Sequence, residues 1–141
     1  MILDEKYDFQ KFTNMGWTKG NIEKHLKKEN NFSIGLFINN KIYGILIGET
    51  IVNDHAFDLE VHIMFVTKKN RRTSIGSKIL NFIELNNNLT KITKIYLEVS
   101  ENNLEAIKFY EKNNFVFFKF RHNYYKYNGN FYNAKCYKKV I

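Results

Sequence analysis

The sequence predicts a mixed α/β fold, an α+β arrangement on one mixed sheet. Its order is N-terminal helices, antiparallel strands, a strand–helix–strand–helix unit and a C-terminal hairpin. Three observations predict it. The apolar run from Ile63 to Val66 meets a short basic loop, after which Ile75, Ile79, Phe82 and Ile83 recur at i, i+4, i+7 and i+8. That pattern is a buried strand feeding a helix whose apolar stripe lies on a sheet. A second strand, Lys94 to Val99, is likewise followed by a helix. Asn39-Asn40 and Asn128-Gly129 each separate two strand-like runs, and these residues tolerate the positive φ angles of tight hairpins.

Taken in order, residues 4 to 28 read as two short helices. Thr18 caps the second, Trp17 staples onto Ile22, and Ile22 and Leu26 face inward while Lys24, Lys27 and Lys28 face water. Phe32 to Ile38 and Ile42 to Val52 form a hairpin, with Gly44 and Gly48 loosening its second strand. The polar turn Asn53-Asp54-His55 leads into Phe57 to Val66, giving an antiparallel meander of three strands before the motif strand. His55 is a solvated turn residue. His62 has two readings, a structural strand histidine or one turned into a cleft.

Beyond Val99, Asn102 and Glu105 stand at capping-box spacing and open a helix with Leu104, Ala106, Ile107 and Tyr110 inward. Asn114 ends it as a left-handed residue where glycine is usual. Phe115 to Arg121 and Phe131 to Val140 form the closing hairpin. No repeat or linker interrupts the chain, so residues 1–141 read as one domain.

Composition bounds the function. Hydrophobic residues at 44% and aromatics at 16% exclude a disordered chain. No apolar run is long enough to span a membrane, and the N-terminus has no signal-peptide layout. One cysteine, Cys136, forms no internal disulfide, which suits a cytosolic setting. The formal charge of +8, from 22 basic and 14 acidic residues, suits an anionic ligand. No basic run interleaved with aromatics marks a nucleic-acid groove, so direct nucleic-acid binding is not expected. His25, His55, His62 and His122 show no ligand spacing, so no metal is expected.

The basic loop, Arg71-Arg72-Thr73-Ser74-Ile75-Gly76, delivers guanidinium groups and backbone N–H groups to the first turn of a helix. By itself it is either a solvated turn or an anion site suited to phosphate. The stretch resembles motif A of the GNAT acetyltransferases, whose pyrophosphate loop runs Q/R-x-x-G-x-G/A into a helix. Arg71 stands at the first position, Gly76 at the last, and Ser74 where the first glycine is usual.

The run from Leu97 through Glu98, Val99, Asn103, Ala106, Ile107 and Tyr110 to Glu111 resembles the L-E-V-x-x-x-N-x-x-A-I-x-x-Y-E signature of RimI-type ribosomal-protein-alanine N-acetyltransferases within that superfamily. Arg121, Asn123, Tyr124 and Tyr125 match its R-x-N-Y-Y, and Glu60 its acidic residue before the central strand. Together the matches span about residues 57 to 134.

The resemblance implies acetyl-CoA as cosubstrate and the N-terminal amine of a protein as acceptor, namely the alanine of the eighteenth small-subunit ribosomal protein. It makes Glu98 the general base and Tyr110 the acid that protonates the leaving thiolate. Met64, Phe65 and Val66 would offer main-chain groups to the pantetheine. Arg72, Thr73, Ser74, Ile75, Gly76 and Ser77 would hold the pyrophosphate, and Asn103 the pantetheine arm. Trp17, Tyr124 and Tyr125 would line the acceptor side. Other acceptors (another protein N-terminus, a lysine side chain, a small amine) and a non-catalytic CoA-binding relative are the alternatives. Besides Ser74, Asn133 departs from the family by standing in Asn-Ala where Asp-Ala is common.

Overall fold

The computed structural model describes Thr13 and residues 16–141; the first of the two expected N-terminal helices lies outside the described residues. Helix α1 (Lys19–Leu26) precedes strands β1 (Asn31–Ile38), β2 (Lys41–Asn53) and β3 (Ala56–Val66). A 3₁₀ turn (Lys68–Asn70), α2 (Ile75–Leu85) and the short α3 (Asn87–Thr90) lead to β4 (Ile92–Ser100). Helix α4 (Leu104–Lys112), β5 (Val116–Tyr127) and β6 (Asn130–Val140) complete the chain. The six strands form one sheet in the order β1-β2-β3-β4-β6-β5. Only the β3–β4 pair is parallel. The third strand of the expected meander and the motif strand are one continuous strand, β3.

The β1–β2 and β5–β6 hairpin turns use the residues expected of them. Asn39 and Asn40 have φ of 49° and 61°, and Asn128 and Gly129 have φ of 49° and 76°. Thr18 caps α1 by accepting from the Asn21 N–H at 3.2 Å. Asn114, at φ 65°, ends α4 in a Schellman turn: Phe115 N–H donates to the Tyr110 carbonyl at 3.0 Å and Asn114 N–H to that of Glu111 at 3.1 Å.

The sheet buries a core on each face. On one side α2 and α4 contribute Ile75, Ile79, Leu80, Ile83, Ile107 and Tyr110 against Leu46, Leu59, Val61, Ile95 and Leu97. On the other, α1 lays Ile22 over Ile45, Ile47, Ile63 and Phe65, with Trp17 at the margin.

Three helix-face expectations fail at stripe edges. Phe82, Leu26 and Leu104 are exposed, and their places are taken by Leu80, His25 and the Ile107–Tyr110 pair. The α4 cap is Asn103, whose Oδ1 accepts from Ala106 N–H at 3.2 Å, not Asn102.

One irregularity shapes everything near the site. Gly48 pairs with Val61 but Ile47 pairs with Ile63, so His62 is the extra residue of a β-bulge. The bulge reverses the alternation of β3. Leu59 and Val61 point into the α2/α4 core, whereas Ile63 and Phe65, of the same parity, point under α1. Gly48 does not merely loosen β2, for a Cβ there would lie 2.3 Å from the Glu60 carbonyl oxygen.

Candidate active site

The parallel register of β3 and β4 stops at Val61↔Leu97, although β3 continues to Val66 and β4 to Ser100. Past the bulge the two strands part, and a cleft of about 1790 Å³ opens between their ends. It is lined by Glu60–Val66 of β3, the α2 N-terminus, Tyr96–Ser100 of β4, the first turns of α4, and Tyr124 and Tyr125 of β5. Among the residues singled out from the sequence, Trp17, Met64, Phe65, Val66, Arg72, Ser74, Ile75, Gly76, Ser77, Glu98, Asn103, Tyr110, Tyr124 and Tyr125 all line it. Thr73 does not; its hydroxyl donates to the Asn70 carbonyl at 2.5 Å and tightens the loop from outside.

At one end lies the basic loop that opens α2. Arg72 and Ser74 both hold left-handed backbone, at φ 62° and 64°. The first helical bond of α2 is Lys78 N–H to the Ser74 carbonyl at 2.9 Å, so the N–H groups of Ile75, Gly76 and Ser77 precede it. The Ser74 side chain does not cap them. Converging N–H groups at the positive end of a helix suit a phosphate, and the pyrophosphate of CoA fits this donor set. Arg71 Nε donates to the Val66 carbonyl at 3.2 Å and ties the loop to the end of β3. The Arg72 side chain is largely exposed, with Nε 3.9 Å from Glu105. Gly76 serves packing: a Cβ there would meet the Phe109 ring at 2.7 Å and Met64 Cε at 3.4 Å.

At the other end Glu98 projects from β4 and Arg121 Nη1 donates to its Oε1 at 2.5 Å. Cys136 Sγ donates to the same oxygen at 3.9 Å, and burial pushes this thiol's pKa up. The Arg121 guanidinium also stacks 4.2 Å from the centroid of the Tyr124 ring. A register shift in β5 between Arg121 and Tyr125 swings this segment over the cleft, with Asn123 at φ 53°.

Tyr110 is 8% exposed, packed edge-on by Phe109 and Phe115. Its hydroxyl makes no hydrogen bond among the described residues. Burial, with Tyr125 nearby, holds its pKa well above the ordinary phenol value. Tyr125 is raised likewise, by burial and then by Glu98.

Asn133 has a reason to be an amide. Its Nδ2 donates to Glu101 Oε2 at 3.3 Å, its N–H to Oε1 at 2.8 Å, and its Oδ1 accepts from Asn123 N–H at 3.1 Å. An aspartate would set two carboxylates against each other, so the carboxylate of this corner is Glu101.

The fold also makes a cluster that spacing concealed. His25, Glu49 and His62, from α1, β2 and the bulge, bring one ligand atom each within 4.8 Å of one another.

The split parallel pair, the helix-terminal loop with its backbone N–H groups and the buried phenol share one cleft, an arrangement suited to acyl transfer from a nucleotide-borne donor. The sequence matches the acetyltransferase (GNAT) domain model over residues 31–117, and the chain belongs to that family. It is an acetyl-CoA-dependent N-acetyltransferase.

Solved structures agree on the fold. The Escherichia coli ribosomal-protein-S18-alanine N-acetyltransferase superposes with a TM-score of 0.75 at 21% identity, covering 97% of this chain and 90% of that one. Ard1 from Thermoplasma volcanium gives 0.76 at 21% identity, covering 89% and 80%. A putative streptothricin acetyltransferase from Bacillus anthracis, in complex with acetyl coenzyme A, gives 0.71 at 23%, covering 84% and 67%. No curated protein matches the sequence significantly.

Proposed function

We propose that the chain, read as one domain over residues 1–141, acetylates the N-terminal α-amine of a protein in the cytoplasm. The acceptor favoured by its motifs is the N-terminal alanine of the eighteenth small-subunit ribosomal protein. The observation that carries the catalytic reading is the Tyr110 phenol, buried in the cleft with no hydrogen-bond partner among the described residues. A buried hydroxyl left unsatisfied is costly in a purely structural role. The phenol is protonated at neutral pH, and burial raises its pKa further.

Bound acetyl-CoA supplies the acetyl group as a thioester. The loop from Arg72 to Ser77 would hold the pyrophosphate by its N–H groups, with Thr73 acting only through the loop's shape. Main-chain groups of Met64, Phe65 and Val66 would align the pantetheine as an added strand, one N–H facing the thioester oxygen. Asn103, with its Oδ1 engaged in capping α4, has its Nδ2 to offer the pantetheine arm.

Only a neutral amine attacks, and a free α-amine has a pKa of about 7.7–8.0. Glu98 takes its proton, directly or through a water, while Arg121 fixes the carboxylate. As the carbon–sulfur bond breaks, Tyr110 gives its proton to the thiolate. Trp17, Tyr124 and Tyr125 line the acceptor side.

The test is mass spectrometry of peptides with free and blocked N-termini. Acetylation confined to the free α-amine of the alanine peptide supports the reading. Acetylation of lysine side chains or small amines alone, or CoA binding without turnover, overturns it.

A further inference from the structure

The His25–Glu49–His62 cluster lies at the bulge, under Trp17, and the acetyl-transfer reading gives it no task. His25 is 5% exposed. Its Nε2 lies 3.0 Å from the Gly48 carbonyl oxygen. A carbonyl oxygen only accepts, so Nε2 carries the proton and Nδ1 keeps a lone pair in the neutral ring. Donating one ring N–H to a backbone carbonyl is the way metal-binding imidazoles are oriented.

Glu49 is divided in the same manner. Its Oε2 accepts from Lys28 Nζ at 2.9 Å, while Oε1 turns to His62. His62 Nε2 is 3.6 Å from that Oε1, too far for a hydrogen bond. Two ligand atoms on one tetrahedral zinc, each about 2.0–2.1 Å from the metal, are themselves roughly 3.3–3.4 Å apart. The pair is thus spaced as co-ligands and not as a hydrogen-bonded dyad. The imidazoles of His25 and His62 meet edge-on at 84° with centroids 5.2 Å apart, so the two rings are not stacked face to face.

We propose that His25, Glu49 and His62 form a binding site for a divalent transition ion of the zinc class, with two imidazoles and one carboxylate as protein ligands. This donor set is one that zinc accepts when a further position stays open. Lys28 is the unfavourable charge, but it is bound to Oε2, which leaves Oε1 on the side of His62. Trp17 lies 5.6 Å from the His25 ring and 6.1 Å from that of His62. Because Trp17 and His62 also line the cleft, the ion would sit in the wall of its acceptor side.

The only tryptophan of the chain is therefore a built-in reporter. The full chain, stripped of metal, is titrated with zinc by calorimetry and with nickel by tryptophan fluorescence. Expected is one zinc per chain with micromolar affinity and saturable quenching by nickel. His62→Ala and Glu49→Gln, with unfolding temperatures showing both folded, each weaken binding at least about tenfold. Both positions are partly exposed, so neither variant depends on the buried His25. No binding up to millimolar metal, or parental affinity in both variants, overturns the proposal. None of these readouts requires acetyl transfer, so the two proposals fail separately.

Discussion

Arg121 on β5 holds Glu98 on β4 through a 2.5 Å bond to Oε1, across the intervening strand β6. The Cys136 thiol reaches the same oxygen, so the guanidinium and thiol converge on one side of the carboxylate, and the Tyr124 phenol also interacts with it. Glu98→Gln keeps the shape and the acceptor for Arg121 but takes up no proton. It is expected to lower kcat by about 10²–10⁴-fold with little change in CoA affinity. The deficit should shrink as pH rises past the pKa of the acceptor amine, which then arrives neutral. A pH–rate profile with one free-N-terminus alanine peptide checks this. Full activity near neutral pH would make Glu98 a structural carboxylate and turn attention to Glu60 and His62.

Tyr110→Phe removes a hydroxyl that no described residue satisfies, so it should leave stability within about 1 kcal/mol of the parent or raise it. Its kcat should fall, and raising the pH should not restore it, because the thiolate still leaves unprotonated. A structural tyrosine would give the reverse, a lower unfolding temperature and unchanged kcat.

The same phenols set the alkaline limit. Tyr110 and Tyr125 are raised by burial, and Tyr137, by burial and then by donating to Glu111 at 2.8 Å, is pushed up to about 12. Above the ordinary value of 10.0 the unfolded chain loses phenolic protons that the folded chain keeps. The folded state then binds more protons, so stability falls as pH rises. These three groups should leave stability unaffected at neutral pH and lower it increasingly above the ordinary phenol value. Tyr110→Phe should make that decline shallower in denaturant titrations.

Much of this was legible in sequence because it rests on local chemistry. Asparagine pairs close hairpins, Asn114 takes the left-handed end of α4, and the Arg71–Gly76 loop opens α2. Helix edges were less legible, since periodicity assigns Phe82 or Leu104 to a face but not to its margin. The bulge was hidden for a deeper reason. Val61 and Ile63 look like successive positions on one face, and only the pairing of Gly48 with Val61 reveals that His62 is surplus. The cluster at the bulge was hidden with it, because its three residues come from three separate elements.

Ser74 sits at φ 64°, a conformation that costs a non-glycine residue roughly 1–2 kcal/mol. Ser74→Gly should relieve part of that strain, offset by the greater freedom of glycine in the unfolded chain. A modest rise in unfolding temperature is expected, with CoA binding tightened a few-fold in calorimetry. Unchanged values in both would mean that the loop holds serine there without strain.

The last prediction concerns the bulge as the device that opens the cleft. Gly48→Ala places a Cβ 2.3 Å from the Glu60 carbonyl oxygen and 3.1 Å from Leu59 Cδ1. The leucine methyl can move, but the carbonyl belongs to the β3 backbone, so β2 or β3 must shift. Overpacking of this kind costs about 1–3 kcal/mol. The shift should also reach function, because the Val61↔Leu97 pair where β3 and β4 part contains the residue facing Gly48. Gly20→Ala is the control, since its nearest neighbour would be Thr18 Oγ1 at 4.0 Å, and it should not lower stability. Expected for Gly48→Ala are a lower unfolding temperature and weaker CoA binding at temperatures where the variant is still folded. Parental CoA affinity in the folded variant would show that the cleft opens independently of the bulge.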